Sequence, residues 1–131
     1  MSEPVRAPLP TCDEVTLGAF LHDIGKFSQR AFAKTAVMTP EVRARESDVL
    51  PSFQGRSSHW HALWTDFFFN EVVERNPLPR ALDRRWVRDC AVFHHKPLQD
   101  GAGTPHGSVT WLIAEADRIR NVSTTMRRLG W

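Results

Sequence analysis

With 131 residues, of which 41% are hydrophobic and 24% charged, the chain has the length and composition of a single globular domain. It contains no apolar run of about 18 residues, and its N-terminus lacks the apolar segment of a signal peptide, so we expect a cytoplasmic protein without a membrane partner. A net charge of +2 does not by itself indicate nucleic-acid binding, and Cys12 and Cys90 are too few and too distant for a disulfide scaffold.

The first predicted helix runs from about Asp13, a suitable N-cap, to about Lys34, after an extended lead-in over residues 1–11. Its apolar stripe follows the 3.6-residue repeat and consists of Leu17, Phe20, Leu21, Ile24, Phe27 and Ala31. His22 falls on nearly the opposite side, which is also small or apolar, so we expect a central helix covered on both sides. Burying Asp23 beside this imidazole costs several kcal/mol, which a cation bound by both would offset.

The second predicted helix covers about residues 57–75, with a serine at position 57 or 58 as its cap. Residues 35–57 precede it as a loop with a short helical piece at about 40–47. Its apolar side carries His61 with Trp64, Phe68 and Val72. Because His59 falls on a polar edge, we expect only His61 of these two histidines to point toward the core.

The third predicted helix covers about residues 80–95 and ends near Lys96, because Pro97 disfavours a helical conformation in the residue before it. Its stripe consists of Leu82, Trp86, Cys90 and Phe93. The helical geometry prefers His94 over His95 as the inward residue, although either ring could turn inward where the helix frays.

The fourth predicted helix covers about residues 107–120, with Asp117 at the edge of its apolar stripe and a C-terminal tail at 121–131. The stripe consists of Val109, Leu112, Ile113 and Ala116. We find no β-strand pattern of any length. The sequence therefore predicts an all-α fold, a compact helical bundle.

Six polar residues on or beside these apolar faces come from all four predicted helices: His22, Asp23, His61, His94, His95 and Asp117. A single buried histidine or aspartate usually has a hydrogen-bond or ion-pair partner within the protein, whereas six such residues together favour a metal site. Imidazole and carboxylate ligands suit divalent transition metals, and the count exceeds the ligands of one tetrahedral zinc ion. We expect one octahedral ion or two ions bridged by Asp23, with Mn²⁺, Ni²⁺ or Co²⁺ favoured by the imidazoles.

Four short motifs occur in an order that resembles a known family. "LHDIGK" resembles the signature of HD-domain metal-dependent phosphohydrolases, and "EADRI" resembles their closing aspartate motif. With "HALWTDFF" and "FHHKP" between them, about residues 17–120 are similar to the N-terminal HD nuclease domain of the large subunit of type III CRISPR effector complexes. The family's second motif has a histidine, a small hydroxyl residue four positions on and a phenylalanine seven positions on, as do His61, Thr65 and Phe68.

The resemblance implies a single HD domain over residues 1–131, built around a metal site. Its ligands would be His22, Asp23, His61, one or both of His94 and His95, and Asp117. It implies a divalent-metal-dependent nuclease that cleaves single-stranded DNA in CRISPR antiviral defence, with other effector subunits as partners. The sequence has no histidine before His22, unlike many HD phosphohydrolases, which the rearranged order of elements in the CRISPR branch would accommodate. It has no palm domains, so we expect an excised domain or a stand-alone subunit without cyclic oligoadenylate synthesis.

In the expected mechanism, ions bound by His22 and Asp23 lower the pKa of a water that attacks phosphorus. Lys26 is a candidate for neutralising charge on the phosphate, with a plain surface lysine as the alternative. His95 would protonate the leaving oxygen if it is not a ligand.

Two other functions remain open. The first is a small-molecule HD phosphohydrolase acting on nucleotides, which would need a closed pocket and not an open groove. The second is a catalytically weak scaffold that binds a metal and a partner subunit.

Contacts to a DNA strand are expected from basic and aromatic residues. The clusters at 80–88, with Arg84 and Arg88, and at 118–128 would bind phosphates in a salt-dependent manner, although solvated helix faces have the same composition. Three tryptophans are candidates for base stacking if exposed: Trp60, Trp64 and Trp86. The stripe positions of the last two favour core packing.

Overall fold

Our computed structural model describes residues 9–32, 38–96 and 105–128. The described chain is mostly helical, as predicted, and none of its helices is long and apolar enough to cross a membrane. A small antiparallel hairpin is present, contrary to the expectation of no strands. The elements are α1 (Cys12–Leu21), α2 (Gly25–Phe32), α3 (Pro40–Arg43), α4 (Glu46–Val49), β1 (Ser52–Phe53), β2 (Arg56–Ser57), α5 (His61–Phe68), α6 (Arg84–Val92) and α7 (Pro105–Arg128).

The predicted first helix is in fact two helices, α1 and α2, joined by a turn at residues 22–24. The N-cap of α1 is Thr11 and not Asp13. The Thr11 hydroxyl accepts a hydrogen bond from the Glu14 amide at 3.2 Å, and the Glu14 carboxylate accepts one from the Thr11 amide at 2.8 Å. The histidine–aspartate pair therefore lies at a corner of the chain and not on a helix face.

The predicted apolar stripe of the first helix is only partly buried. Leu17 and Leu21 pack against the core, whereas Phe20 and Phe27, on either side of the turn, are 81% and 72% exposed. Instead, α1 buries Gly18 against α6, where an added Cβ would overlap the Cys90 side chain and press on the Val87 carbonyl oxygen.

A second close helix contact, between α2 and α5, depends on Gly25. A Cβ added to this residue would overlap the carbonyl oxygen of His61 and the amide nitrogen of Thr65. The Gly25 amide donates to Thr65 Oγ1 at 3.1 Å, and this hydroxyl lies 3.2 Å from the His22 carbonyl oxygen and 3.0 Å from that of His61. Thr65 therefore ties the turn between α1 and α2 to the first residue of α5.

The hydrophobic core forms two clusters around α5 and α6. One cluster joins both helices to the segment 38–50, which contributes Met38, Val42, Val49 and Leu50. The other joins α1, α6 and the chain after α5 through residues that include Leu17, Leu21, Phe69 and Val87. The segment predicted as a loop with a short helix at 40–47 thus forms two short helices, α3 and α4, and supplies part of the core.

The second predicted helix begins later and ends differently from the expectation. α5 starts at His61 with no side-chain cap, so neither serine proposed as a cap has that role: Ser57 lies in β2, and Ser58 Oγ donates to the Pro51 carbonyl. A π-helical turn at Phe69–Val73 continues α5. Val72, a member of the predicted stripe, is 43% exposed there, because the wider turn rotates it out of the buried face.

The third predicted helix is close to the structure, and the fourth is longer than expected. α6 is capped by the Asp83 carboxylate and ends in a 3₁₀ turn at Phe93–His95, near the predicted end. In α7, Ile113 is buried but Leu112 is 60% exposed, so the predicted stripe is only partly covered. The predicted tail is helical up to Arg128, and predicted features at 1–8, 33–37, 97–104 and 129–131 lie outside the described residues.

A buried carboxylate links three parts of the fold. Asp66 is fully buried in α5, where it accepts from Arg45 Nε at 2.7 Å and from Arg88 Nε at 2.8 Å. Arg84 pairs with Glu74 at 2.5 Å. Both arginines of α6 that we expected to bind phosphates are therefore engaged in contacts within the protein.

Candidate metal centre

The structure brings the six predicted ligand residues together from four separate parts of the chain. The turn between α1 and α2 contributes His22 and Asp23, the first residue of α5 is His61, the 3₁₀ turn contributes His94 and His95, and α7 contributes Asp117. His22 Nε2 lies 3.4 Å from Asp117 Oδ1 and 3.5 Å from Asp23 Oδ2. The two ring nitrogens His61 Nε2 and His95 Nε2 lie 2.8 Å apart.

Within this cluster, two groups of three residues have the spacing of metal ligands. One is His61, His94 and His95, and the other is His22, Asp23 and His94; within each group the candidate ligand atoms lie within 4.8 Å of one another. Asp23 also connects them, because its Oδ1 lies 3.4 Å from His61 Nε2. Both histidines of the 3₁₀ turn face the centre, so the preference for His94 alone is not followed.

The hydrogen bonds of two histidines leave lone pairs pointing into the centre. His94 Nδ1 donates to the Ala91 carbonyl at 2.8 Å, and His22 Nδ1 donates to the Ala19 carbonyl at 2.5 Å, so in each ring Nε2 is the nitrogen that remains for a metal ion. In the described part of the chain, His94 Nε2 and Asp23 Oδ1 are buried and have no hydrogen-bond partner. Orphaned acceptors of this kind fit a cation.

The contact between His22 and two carboxylates also suits a cation. His22 Nε2 faces carboxylate oxygens of Asp23 and Asp117. An imidazole nitrogen and carboxylate oxygens that converge in this way are a donor set that suits a divalent cation. A second ring nitrogen held by a backbone carbonyl is also the usual support of a metal-binding histidine.

The electrostatics keep these donors in the form that binds metals. Burial lowers the pKa of His61 to about 4, that of His95 to about 3 and that of His94 to about 2, so these rings are neutral at pH 7. Burial raises the pKa of Asp23, but the hydrogen bond from Lys26 and the charges around the carboxylate outweigh this and lower it to about 2. No proton has to be removed from these four side chains before an ion binds at neutral pH.

Two basic side chains border the carboxylates. Lys26, the predicted charge-neutralising residue, lies 2.8 Å from Asp23 Oδ2 and is 47% exposed. Arg120, predicted only as part of the basic cluster at 118–128, lies 2.6 Å from Asp117 Oδ1 and 3.3 Å from Asp23 Oδ2. The sequence could have indicated this contact, because residues three apart on a helix are neighbours and Arg120 follows Asp117 by three.

His59 is a further residue at the edge of the centre that the sequence placed elsewhere. It does not lie on α5 but precedes it, with a φ of +59°. Its ring centroid lies 4.1 Å from that of His95, and its Nδ1 lies within hydrogen-bond distance of Ser58 Oγ, at 2.9 Å. His59 belongs to neither ligand group among the described residues.

The centre opens into a groove of about 620 Å³ along α7. His59, His94 and His95 line one end, and one face of α7 lines the side, with Trp111 53% exposed there. The buried Trp64 and Trp86 belong to the core, as their stripe positions predicted.

Comparisons of the chain with protein-family models, with curated proteins and with solved structures found no match.

Proposed function

We propose that this chain is an HD-type, divalent-metal-dependent nuclease that cleaves phosphodiester bonds of single-stranded DNA. The observation that carries the proposal is the convergence of four histidines and two aspartates, with buried acceptor atoms that lack a partner within the described structure. The order of the four motifs that contain these residues also supports it. From the same motifs we propose that the protein acts in the cytoplasm, in CRISPR antiviral defence, with other effector subunits as partners.

The roles of the side chains follow from their chemistry. When bound, a divalent ion lowers the pKa of water and offsets charge on the phosphate oxygens. His94 would hold an ion either with His61 and His95 or with His22 and Asp23, because its one free lone pair, on Nε2, can serve only one of these two positions. Asp117 lies beside His22. The imidazole-rich donor set favours Mn²⁺, Ni²⁺ or Co²⁺.

The shape of the site supports a polymer as substrate. A phosphohydrolase for free nucleotides needs a pocket that encloses its ligand, whereas this centre lies at one end of an open groove. An exposed indole at Trp111 offers a surface on which a base can stack. The last turns of α7, from Arg118 to Arg128, carry four arginines and no acidic residue, which favours a phosphate backbone.

Cleavage assays test this proposal. Labelled single-stranded DNA, duplex DNA and nucleoside triphosphates are each incubated with the protein and either Mn²⁺ or EDTA. We expect cleavage of the single strand only with Mn²⁺, slower cleavage of the duplex because its stiff backbone reaches recessed ions poorly, and no activity in the double variant His22→Ala and Asp23→Ala. The matched control is Asp48→Asn, which neutralises an exposed carboxylate outside the centre.

Two other results of these assays would support the two alternative functions. Hydrolysis of nucleoside triphosphates without cleavage of oligonucleotides would contradict the proposal and support a small-molecule phosphohydrolase. Metal binding without hydrolysis of any of the three substrates would support a scaffold.

A further inference from the structure

Arg120 occupies the carboxylate oxygens that face the candidate metal position. Its Nη2 atom lies 2.6 Å from Asp117 Oδ1 and 3.3 Å from Asp23 Oδ2. The same two oxygens face His22 Nε2, at 3.4 and 3.5 Å. The guanidinium therefore supplies positive charge to both acceptors, and Lys26 supplies it to Asp23 alone.

We infer that Arg120 binds the phosphoryl group of the substrate at this centre, an inference that rests on the metal centre of the proposed function. A guanidinium has five N–H donors in a planar fork that matches phosphate oxygens as well as carboxylate oxygens. Once Asp23 and Asp117 bind a cation, Arg120 loses its present partners. It remains anchored on α7 one turn after Asp117, within reach of a phosphate at the centre.

Two observations separate Arg120 from an ordinary surface arginine. A pair three residues apart on a helix is common, but Arg120 also contacts Asp23, 97 residues earlier in the sequence. Its side chain is 55% exposed, so it is free to change partner at little cost in packing. The neighbouring Arg118, by contrast, pairs with Glu115 at 2.7 Å.

The inference predicts effects of opposite sign on two ligands. Mn²⁺ is titrated into the metal-free protein by calorimetry, and inorganic phosphate is then titrated into the Mn²⁺-loaded protein. Because Arg120 competes with a cation for the carboxylates, Arg120→Gln should bind Mn²⁺ about two- to fivefold more tightly. The same variant should bind phosphate about tenfold more weakly, and Arg120→Lys should recover part of this loss.

The control is Arg75→Gln, which removes an exposed arginine that pairs with Glu71, outside the centre. It should change neither affinity, and circular dichroism of all variants should match the wild type. A variant that merely loosens the centre would lose affinity for both ligands, so weaker or unchanged Mn²⁺ binding by Arg120→Gln overturns the inference, as does unchanged phosphate binding. Neither result contradicts the proposed function. A wild-type protein that binds no Mn²⁺ would overturn both the inference and the proposed function.

Discussion

Among the single side chains, His94 has the surroundings that require a cation most. It is 2% exposed, and its Nδ1–H is engaged by the Ala91 carbonyl. Its Nε2 atom points into the centre without a donor in the described residues. An unpaired buried acceptor costs about 1–3 kcal/mol, and an ion bound at Nε2 would offset this cost.

The first prediction distinguishes two candidate ligands, His61 and His94, from the adjacent His59 by their effect on metal binding. His61→Ala and His94→Ala should each remove most of the bound metal, because each deletes a buried donor that no other side chain replaces. His59→Ala should keep it, since this ring stacks on His95 from outside the ligand groups. Metal content per protein, measured by elemental analysis after dialysis, checks this. Equal metal in the His61 variant and the wild type would contradict the site assignment.

For the elements, the decisive feature is the turn between α1 and α2. Successive residues on a continuous helix point about 100° apart, so a helix would aim His22 and Asp23 in different directions. The turn at 22–24 lets both side chains face one centre. Thr65 and Gly25 hold this turn against α5, where His61 lies.

The second prediction concerns this packing. Gly25→Ala should lower the free energy of unfolding by about 1–3 kcal/mol or more, because the added methyl overlaps the backbone of α5. It should also weaken metal binding, since His22 and His61 move apart. Phe27→Ala, on the same helix but 72% exposed, is the control and should change stability little. Urea unfolding of both variants measures the difference, and equal stability of the Gly25 variant and the wild type would refute the close contact.

At the scale of the whole molecule, the centre makes the metal-free fold sensitive to acid. Three neutral imidazoles are buried where α5, the 3₁₀ turn and α7 meet, with pKa values lowered by burial to about 4, 3 and 2 for His61, His95 and His94. In the unfolded chain these rings titrate near 6.5. Below that pH the unfolded chain binds protons that the folded protein does not.

The third prediction follows from this difference. Above about pH 6.5 the three imidazoles give no dependence on pH, and as the pH falls from 6.5 toward 4 each lowers the free energy of unfolding by about 1.4 kcal/mol per pH unit. Asp23, whose pKa is lowered to about 2, adds its own loss only below about pH 4. Urea unfolding in EDTA at several pH values between 7 and 5 measures the slope. His94→Gln should reduce it, and a flat profile would contradict burial of neutral rings.

The sequence by itself determined the features that depend on residue type and local spacing. The helical class, the end of the third helix near Lys96 and the core positions of Trp64 and Trp86 follow from periodicity and from the effect of a proline. The same patterns selected six side chains that the structure brings within one cluster. These inferences require only neighbours within one or two helical turns.

The tertiary structure alone decided which faces meet. The break at 22–24, the exposure of Phe20 and the core role of the segment 38–50 depend on contacts between parts of the chain that are distant in sequence. Arg88 and Arg120 show this most clearly, because both belong to basic clusters. Arg88 neutralises the buried Asp66, and Arg120 contacts the carboxylates of the candidate metal centre. The partner of a long charged side chain is whichever carboxylate the fold brings near it.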